Sequence, residues 1–426
     1  MIFLKQSLSN FGLSETHKLQ AIIHNTCQRC GAIIQQDWID DYFRLYCKDC
    51  EAFGRIVEGD VLFRYHRPLI KKNHLLKLEF ELSNEQIKAS QYLLNSVISQ
   101  HIGYLYAVCG AGKTEILYET IFHFLQKNQV ICFSIPRTDV VIELSKRLTK
   151  IFPNTVIKPL YNKEKDDSLA DIVVSTVHQL IQYYEEFDLL ILDEADAFPY
   201  KSNDLLTRLV KRALKPDGAF IMMSATYENH ELKAIDKKNL PIYQLPARYH
   251  QHQLDTFTII YVDEVMKMNQ SITIHNDILQ WIISKLNASI QLMLFVPTIA
   301  IGTLLEQSLK RHGLNCLNVS SVDHHRAMKI NQFRANKTPI LITTTLLERG
   351  ITIKGVHIGI IDASHVVFNR HTLIQIAGRV GRHKASPSGE IVLFTRRMNI
   401  EIKAAKKYIQ LMNKEAYNRG LINNDL

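Results

Sequence analysis

GYLYAVCGAGKTEIL, residues 103–117, decides the fold because it joins an apolar strand-like segment to an apolar helical segment through a glycine-rich turn. In such a turn Gly110 and Gly112 let backbone N–H groups point inward at an anion. Lys113 would reach the β and γ oxygens of a nucleotide, and the Thr114 hydroxyl would bind Mg²⁺. Ala107 stands where such loops usually have their first glycine, and a glycine-rich turn without a ligand is the alternative. The residues that the pattern assigns to nucleotide binding are Gly110, Ala111, Gly112, Lys113, Thr114 and Glu115.

Strand-like and helical segments alternate along most of the chain. The strand-like segments are GYLYAV, VICFSIP, DIVVST, DLLILDE and AFIMMSAT, and later QLMLFVPT, LNCLNVSS, PILITTT, VHIGIIDAS and GEIVLF. Helical spacing of apolar residues occurs in TEILYETIFHFLQK, TDVVIELSKRLTK and AIGTLLEQSLKRHG. This alternation predicts βαβ units on parallel sheets, and therefore an α/β fold with two such domains. Residues 241–260, PIYQLPARYHQHQLDTFTII, interrupt the alternation and are interpreted as the connection between the domains.

Length and composition are those of a multi-domain globular protein. The chain has 426 residues, 46% hydrophobic and 22% charged, and a formal net charge of +9, which weakly favours an anionic partner. No apolar run approaches the roughly 18 residues of a membrane helix, and the first ten residues are too polar for a secretory signal. We therefore expect a cytoplasmic protein.

Four of the seven cysteines form a pattern near the N-terminus. Cys27 and Cys30 are separated by two residues, as are Cys47 and Cys50, and sixteen residues lie between the pairs. This spacing is typical of a zinc ribbon with four cysteine ligands. Two disulfides are the alternative, disfavoured because nothing indicates an oxidising compartment, and a free redox pair is disfavoured further.

The segment DLLILDEAD, residues 188–196, is an apolar strand that ends in two acids, Asp193 and Glu194. Parallel α/β sheets bind ligands at the carboxyl edge, where these acids would be exposed. Asp193 would bind Mg²⁺ together with Thr114, and Glu194 would polarise an attacking water. A solvated acidic turn is the alternative, but it does not explain the wholly apolar residues before the acids.

The segment QIAGRVGRHK, residues 375–384, contains two Gly-Arg pairs three residues apart. A glycine beside each arginine lets the backbone approach a ligand closely and delivers a guanidinium at a fixed distance. Arg379 and Arg382 are therefore candidate phosphate-binding residues, and an ordinary surface pair is the alternative.

From about Ser83 to the C-terminus, the chain resembles superfamily 2 helicases and translocases. The segments that carry the resemblance are LSNEQ (82–86), PRTDVV (136–141), STVHQLI (175–181), SAT (224–226), FVPT (295–298), TTLLERGIT (344–352) and QIAGRVGR (375–382), together with the two motifs above. The resemblance implies two RecA-like domains with ATP in the cleft between them. It implies that Gln86 recognises adenine, that Gly350 contacts the nucleotide, and that Arg382 is an arginine finger with Arg379 as its companion.

The subclass is closer to DNA translocases related to the replication-restart helicase PriA than to DEAD-box RNA helicases, which have PTREL and HRIGRTGR in place of PRTDVV and QIAGRVGR. With an N-terminal four-cysteine ribbon and LDEADAFPY after the catalytic strand, the chain resembles the late competence protein ComFA family. That resemblance implies a single-stranded DNA translocase at the inner face of the membrane, with a ComEC-like channel and a ComFC-like phosphoribosyltransferase-fold protein as partners; a homo-oligomer is left open.

The domains predicted are a zinc-binding domain over residues 1–65, a first RecA-like domain over 66–245 and a second over 246–426. Two alternatives remain. One is a PriA-like replication-restart or repair DNA helicase, and the other is a zinc-ribbon adaptor with a non-catalytic motor fold. The adaptor would be expected to lack Lys113, Glu194 or Arg382, and all three are present.

Overall fold

Two large parallel sheets organise the chain, as the alternation of strand-like and helical segments predicts. The computed structural model describes residues 2–4, 16–65, 71–161, 169–195, 203–227, 237–264, 266–268, 272–345 and 353–422. None of the helices within these ranges is long and apolar enough to cross a bilayer.

The N-terminal region consists of short antiparallel strands. They are β1 (Ile2–Leu4), β2 (Thr16–Gln20), β3 (Ile22–Ile23), β4 (Thr26–Cys27) and β5 (Val61–Tyr65). Strand β5 pairs with both β1 and β2, and β3 and β4 form a separate hairpin. A 3-10 helix, Lys48–Phe53, carries the last cysteine of the four.

The first large sheet has seven strands in the order β12-β6-β11-β10-β7-β9-β8. Its strands are β6 (Ile102–Ala107), β7 (Ile131–Ile135), β8 (Ile157–Leu160), β9 (Ile172–Thr176), β10 (Phe187–Leu192), β11 (Leu214–Ser224) and β12 (Ile242–Leu245). The helices are α1 (Asn84–Gln100), α2 (Lys113–Ile116), α3 (Tyr118–Gln126), α4 (Thr138–Ile151) and α5 (Asp204–Ala213), with a 3-10 helix at Val177–Gln182. The central strands pair in parallel, and β7 and β9 are buried along their whole length. Burial on both faces explains their continuous apolar sequences.

One helix predicted as continuous, TEILYETIFHFLQK, is two helices in the structure. The backbone N–H of Leu117 bonds to the carbonyl of Thr114, three residues back, at 3.1 Å. This tight turn separates α2 from α3. Apolar spacing does not reveal such a change, because buried apolar residues continue from Ile116 in α2 to Tyr118 and Ile121 in α3.

The second sheet has six strands in the order β13-β20-β19-β16-β18-β17, and its neighbouring strands pair in parallel. The strands of this region are β13 (Phe257–Tyr261), β14 (Met266–Met268), β15 (Ile272–Ile274), β16 (Leu292–Phe295), β17 (Cys316–Val319), β18 (Ile340–Thr343), β19 (His357–Ile361) and β20 (Ile391–Thr395), of which β14 and β15 form a separate hairpin. The helices are α6 (Asn276–Asn287), α7 (Ile299–Arg311), α8 (Arg326–Arg334), α9 (Arg370–Ala377) and α10 (Ile400–Asn418).

The segment interpreted as a loose connection, residues 241–260, is more ordered than its sequence indicates. It contains β12, an edge strand of the first sheet, and most of β13, an edge strand of the second. The interpretation was wrong on this point, because edge strands tolerate the proline and polar residues that lower a strand prediction.

Contacts between residues divide the chain into two compact units. The first comprises Met1–Tyr106 and Lys113–Gln244, and the second comprises Ala107–Gly112 and Leu245–Leu426. The N-terminal cysteine region thus belongs to the same unit as the first sheet. The domain limits given above remain predictions.

The cysteine region shares its apolar core with α5. The four cysteines, Ile56 and Leu62 lie in one buried cluster with Leu206, Leu209 and Val210 of α5. Arg208 and Arg212 of the same helix contact the region directly: Arg208 forms an ion pair with Asp49, and Nη2 of Arg212 donates to the carbonyl of Gln28 at 2.7 Å. The helix that follows the Asp193 segment is therefore packed against the cysteine region, which sequence analysis did not predict.

Candidate nucleotide and metal sites

Four of the motif segments follow neighbouring strands of the first sheet. Strands β6, β11, β10 and β7 are adjacent in that order and pair in parallel. The glycine-rich turn follows β6, the SAT segment ends β11, the two acids follow β10, and PRTDVV follows β7. Because parallel strands end at the same edge, the sheet brings these segments to one edge, where α/β folds bind ligands.

The glycine-rich turn has the backbone that its sequence requires. Gly110 and Gly112 have φ of 85° and 80°, in the left-handed region that other residues adopt only at a cost. The N–H of Ala111 bonds to the carbonyl of Val108 at 3.1 Å, and α2 begins at Lys113. The conformation therefore agrees with a phosphate-binding loop.

Glu115, at the end of this motif, has a partner in the structure. Its Oε1 lies 3.2 Å from Nη1 of Arg147 on α4. The nucleotide contact predicted for Glu115 remains untested, and the observed ion pair gives the side chain a structural role between α2 and α4.

The two acids after β10 are held between neighbouring strands. The N–H of Asp193 bonds to the carbonyl of Ser134 at 2.9 Å, and the N–H of Ala195 bonds to the carbonyl of Met223 at 3.1 Å. Between them, the N–H of Glu194 bonds to Oδ1 of Asp193 at 2.8 Å. Backbone bonds to two strands therefore fix the position of the acidic pair.

Glu194 also has a positive φ of 53°. A non-glycine residue in the left-handed region costs about 1–3 kcal/mol, and such strain concentrates at functional sites. No sequence signal indicated this conformation.

Gln86, predicted to recognise adenine, has a structural partner. Its side-chain oxygen accepts from the N–H of Ser83 at 2.9 Å, while the Ser83 hydroxyl accepts from the N–H of Gln86 at 3.4 Å. This capping box starts α1 and leaves Gln86 only 5% exposed. The adenine contact stays a prediction.

The Gly-Arg segment begins in the last turn of α9. Its first glycine, Gly378, was expected to let the backbone approach a ligand, but in the structure it allows the approach of another part of the chain. A Cβ on Gly378 would lie 2.3 Å from the Cβ of Cys109, so only glycine fits. The same cysteine donates its thiol hydrogen to Oε1 of Gln375 at 3.3 Å. Arg379 is buried, and Nε of Arg382 donates to the carbonyl of Gly378 at 2.6 Å. The close approach thus joins two segments of the second compact unit.

Arg248 and His250 contact this segment and were missed by sequence analysis. The Arg248 guanidinium donates to the carbonyl of Val380 at 2.9 Å, and both residues donate to the carbonyl of Gly381. They lie about 130 positions upstream in a stretch that looked like a linker, so spacing could not reveal the contact. Gly350 lies outside the described residues, as does most of its motif.

The four N-terminal cysteines form a compact buried cluster. All four sulfur atoms lie within 4.8 Å of one another, with Sγ distances of 3.7 Å from Cys27 to Cys50 and 3.5 Å from Cys30 to Cys47. A disulfide bond is about 2.05 Å long, so the structure does not contain the disulfides considered as an alternative. A tetrahedral zinc site with bonds of about 2.3 Å separates its sulfur atoms by about 3.8 Å. The donor set and spacing therefore fit zinc.

The four thiols interact closely with one another and with a buried arginine. Hydrogen bonds from the other three thiols hold the pKa of Cys27 below its ordinary value, and hydrogen bonding within the group raises the pKa of Cys50. The buried Arg29 also donates from Nε to Sγ of Cys50 at 3.4 Å and from Nη2 to the Cys50 carbonyl at 3.1 Å. This guanidinium would offset part of the negative charge of four thiolates around a divalent cation.

Two family models match the chain, and each covers most of one large sheet. "Type III restriction enzyme, res subunit" matches residues 79–229, and "Helicase conserved C-terminal domain" matches residues 274–384. The first match includes the glycine-rich turn and the acidic pair, and the second ends at the last residue of the Gly-Arg segment.

Two curated proteins are similar over nearly the whole chain. "Competence protein ComFA" of Streptococcus pneumoniae is 34% identical over 392 residues, which cover 92% of this chain and 90% of that protein. "Competence protein ComFA" of Bacillus subtilis is 33% identical over 400 residues, covering 92% and 86%.

A solved structure, "S. cerevisiae Dbp5 bound to RNA and ADP BeF3", has the same fold. It aligns with a TM-score of 0.56 at 17% sequence identity and covers 80% of this chain and 96% of that one. The fold is therefore that of a helicase with two RecA-like domains, as predicted.

Proposed function

Because the chain belongs to the competence protein ComFA family, we propose that it is a motor that uses ATP to translocate single-stranded DNA into the cell during natural transformation. The chain is a superfamily 2 ATPase with both helicase domains. The observation that carries the proposal is that its similarity to two competence proteins spans 92% of the chain, and therefore extends beyond the helicase domains.

The residues proposed for ATP hydrolysis have separate roles. Lys113 binds the β and γ phosphates, and Glu194 orients and polarises the attacking water. The Thr114 hydroxyl and the Asp193 carboxylate would hold Mg²⁺, which when bound offsets the charge of the phosphates. The fixed backbone of the acidic pair supports this assignment, because a carboxylate that positions water must not move freely. The further nucleotide contacts proposed are Gln86, Gly110, Ala111, Gly112, Glu115 and Gly350.

Arg382 is proposed as the arginine finger and Arg379 as its companion. We expect Arg382→Ala to lower kcat for ATP by about 10³-fold, because a finger stabilises charge that develops in the transition state. The dissociation constant for ATP should change only a few-fold. Steady-state ATPase rates and equilibrium nucleotide binding test this, and equal losses in both would assign Arg382 to ground-state binding instead.

Zn²⁺ is proposed as the resident metal of the cysteine cluster, with Cys27, Cys30, Cys47 and Cys50 as its ligands. Its contribution would be to folding, since a site with four protein ligands has no open position for chemistry.

The partners and location are proposed from the family alone. A ComEC-like channel and a ComFC-like phosphoribosyltransferase-fold protein would place this motor, peripherally, at the inner face of the cell membrane. Translocation by a motor at that position would pull entering strands into the cytoplasm.

The nucleic acid preferred by the motor is tested by ATPase assays with single-stranded DNA, duplex DNA and RNA as alternative activators. We expect the rate to rise most with single-stranded DNA. Raising salt from 50 to 200 mM should weaken that activation steeply, because each phosphate contact releases counterions. The largest activation by RNA, or by duplex ends, would contradict the proposed substrate and favour an RNA helicase or a repair helicase.

A further inference from the structure

The Arg248 guanidinium lies in the second compact unit, 2% exposed, and contacts the turn of the Gly-Arg segment. Its Nη2 donates to the carbonyl of Val380 at 2.9 Å, and its Nη1 donates to the carbonyls of Gly381 at 3.1 Å and Pro387 at 3.3 Å. The planar fork of an arginine holds its two terminal nitrogens at fixed positions, so it can bond to several carbonyls at once. The side chain thus holds the Val380–Gly381 turn and also bonds to Pro387, which follows the bridge between His383 and Ser386.

The charge of Arg248 is balanced by one buried carboxylate. Asp255 Oδ2 lies 3.3 Å from Nη1, and Asp255 Oδ1 accepts from the N–H of Gly389 at 3.1 Å. Burial lowers the pKa of Arg248 and raises that of Asp255, with their mutual attraction opposing both shifts. Burying an ion pair in place of apolar side chains often gives no gain in stability. A charged pair at this position is therefore poorly explained by stability alone.

His250 adds a second donor to the same turn. Its Nε2 lies 2.8 Å from the carbonyl of Gly381, which therefore has a hydrogen-bond donor from each of two side chains. Gly381 has φ of 65°, and a Cβ there would lie 2.3 Å from Nη1 of Arg248 and 2.3 Å from the carbonyl oxygen of Pro387. The guanidinium therefore packs so closely against Gly381 that no residue with a Cβ fits at this position.

The turn held by Arg248 and His250 is formed by Val380 and Gly381, which lie between Arg379 and Arg382 in the sequence. Two of the three carbonyls that Arg248 contacts belong to Val380 and Gly381, the two residues that separate these arginines. Displacement of a catalytic group by about 1 Å can cost roughly 100-fold in rate. The position of the Arg382 guanidinium therefore depends on how rigidly Val380 and Gly381 are held.

We infer that Arg248, assisted by His250 and Asp255, is a positioning residue that sets the conformation of the Val380–Gly381 turn and through it aims Arg382 during ATP hydrolysis. The inference rests on the proposed role of Arg382. In this proposal the effect of Arg248 on the reaction passes through the turn.

The test begins with Arg248→Lys in the full-length protein. Lysine keeps the positive charge beside Asp255, but its three donors share one nitrogen and cannot match the separate Nη1 and Nη2 contacts of Arg248. The variant should therefore fold while the turn loosens. We expect kcat for ATP to fall by about 10- to 100-fold, while the dissociation constant for ATP changes by less than about threefold.

A matched control is Asn413→Ala. Asn413 is buried on α10, and its side chain both donates to the carbonyl and accepts from the N–H of Leu254. It therefore fastens the same connecting segment as Arg248 without a bond to the Val380–Gly381 turn. Rates are compared at a temperature where thermal unfolding curves show every variant folded, and Asn413→Ala should then retain kcat within about twofold. A fall in kcat equal to that of Arg248→Lys would assign both effects to general loss of stability and overturn the inference.

Combining Arg248→Lys with Arg382→Ala separates this inference from the proposed function. If Arg248 acts through Arg382, the double variant should be no slower than Arg382→Ala alone. Rate losses that multiply would overturn the inference even if Arg382 is the finger. If kcat falls in Arg382→Ala but is unchanged in Arg248→Lys, the inference is also overturned, while the finger role stays intact. An unchanged kcat in Arg382→Ala would instead refute the finger role. If kcat nevertheless fell in Arg248→Lys, Arg248 would act by a route that does not involve Arg382.

Discussion

Glu194→Gln is expected to reduce ATP turnover by about 10²- to 10⁴-fold while leaving ATP binding within a few-fold of the unmodified protein. The substitution removes the carboxylate that would polarise the attacking water, and general-base catalysis contributes about this much to rates. The amide keeps the size of the side chain, so the conformation after β10 should persist. Single-turnover hydrolysis and equilibrium binding of a fluorescent nucleotide measure the two quantities separately.

Lys113→Ala, in contrast, should lower the affinity for ATP. The loss of its ammonium group removes a contact to the phosphates already made in the ground state, so nucleotide binding itself should weaken markedly. If both variants lose binding equally, the separation between a phosphate ligand and a water-activating carboxylate is refuted.

The chain offers a matched control for Glu194. Glu185 lies just before β10, at its opposite end, and also has a positive φ, 46°, but its side chain is exposed. Glu185→Gln removes one carboxylate with a similar backbone conformation and should leave kcat unchanged. A comparable loss of turnover in this control would show that strain near β10, and not the chemistry of Glu194, limits the rate.

The sequence predicted those parts of the site whose physical requirements are local. A left-handed turn requires glycine, so the positive φ of Gly110 and Gly112 could be foreseen from residue type and spacing. Strands buried on both faces require continuous apolar runs, which identified β7, β9 and β10. The clustering of the cysteines followed from a ligand spacing that a single metal imposes.

Features that depend on distant partners could not be predicted in this way. Arg248 is buried because its acceptors are carbonyls about 130 positions away. Nothing in the local sequence LPARYH, residues 245–250, indicates that these acceptors exist. Gly378 is required by the approach of Cys109, whereas its neighbours suggested a ligand. Motifs specify which chemistry is present, but the residues that hold a motif in place can lie anywhere in the chain.

The contact between the cysteine region and α5 is a further feature of this kind, and it changes the expected effect of zinc removal. Thiolate-bound Zn²⁺ should add about 10 kcal/mol or more to the folding free energy of the region, as in other structural sites, beside the apolar cluster that it shares with α5. Loss of the metal should also uncover the face of α5 formed by Leu206 and Leu209.

Cys27→Ser or Cys47→Ser should therefore abolish zinc binding and unfold the cysteine region, with a lower midpoint of thermal unfolding for the first compact unit as well. Nucleotide binding should survive, because none of the proposed ATP contacts lies in the cysteine region and β7 and β9 are buried along their whole length. DNA stimulation of the ATPase, or binding to partner proteins, is the function expected to be lost. Metal content per chain, limited proteolysis and nucleotide binding measure these effects.

Cys316→Ser is the matched control, because Cys316 is buried in the second sheet and distant in sequence from the cluster. It should retain one zinc per chain and an intact, protease-resistant cysteine region. A natural protein that folds fully without metal, or that forms two disulfides under reducing conditions, would refute the zinc site. If the cysteine variants lose zinc but keep both protease resistance and the original unfolding midpoint, the metal is not the source of folding energy, and the apolar cluster shared with α5 must hold the region together by itself.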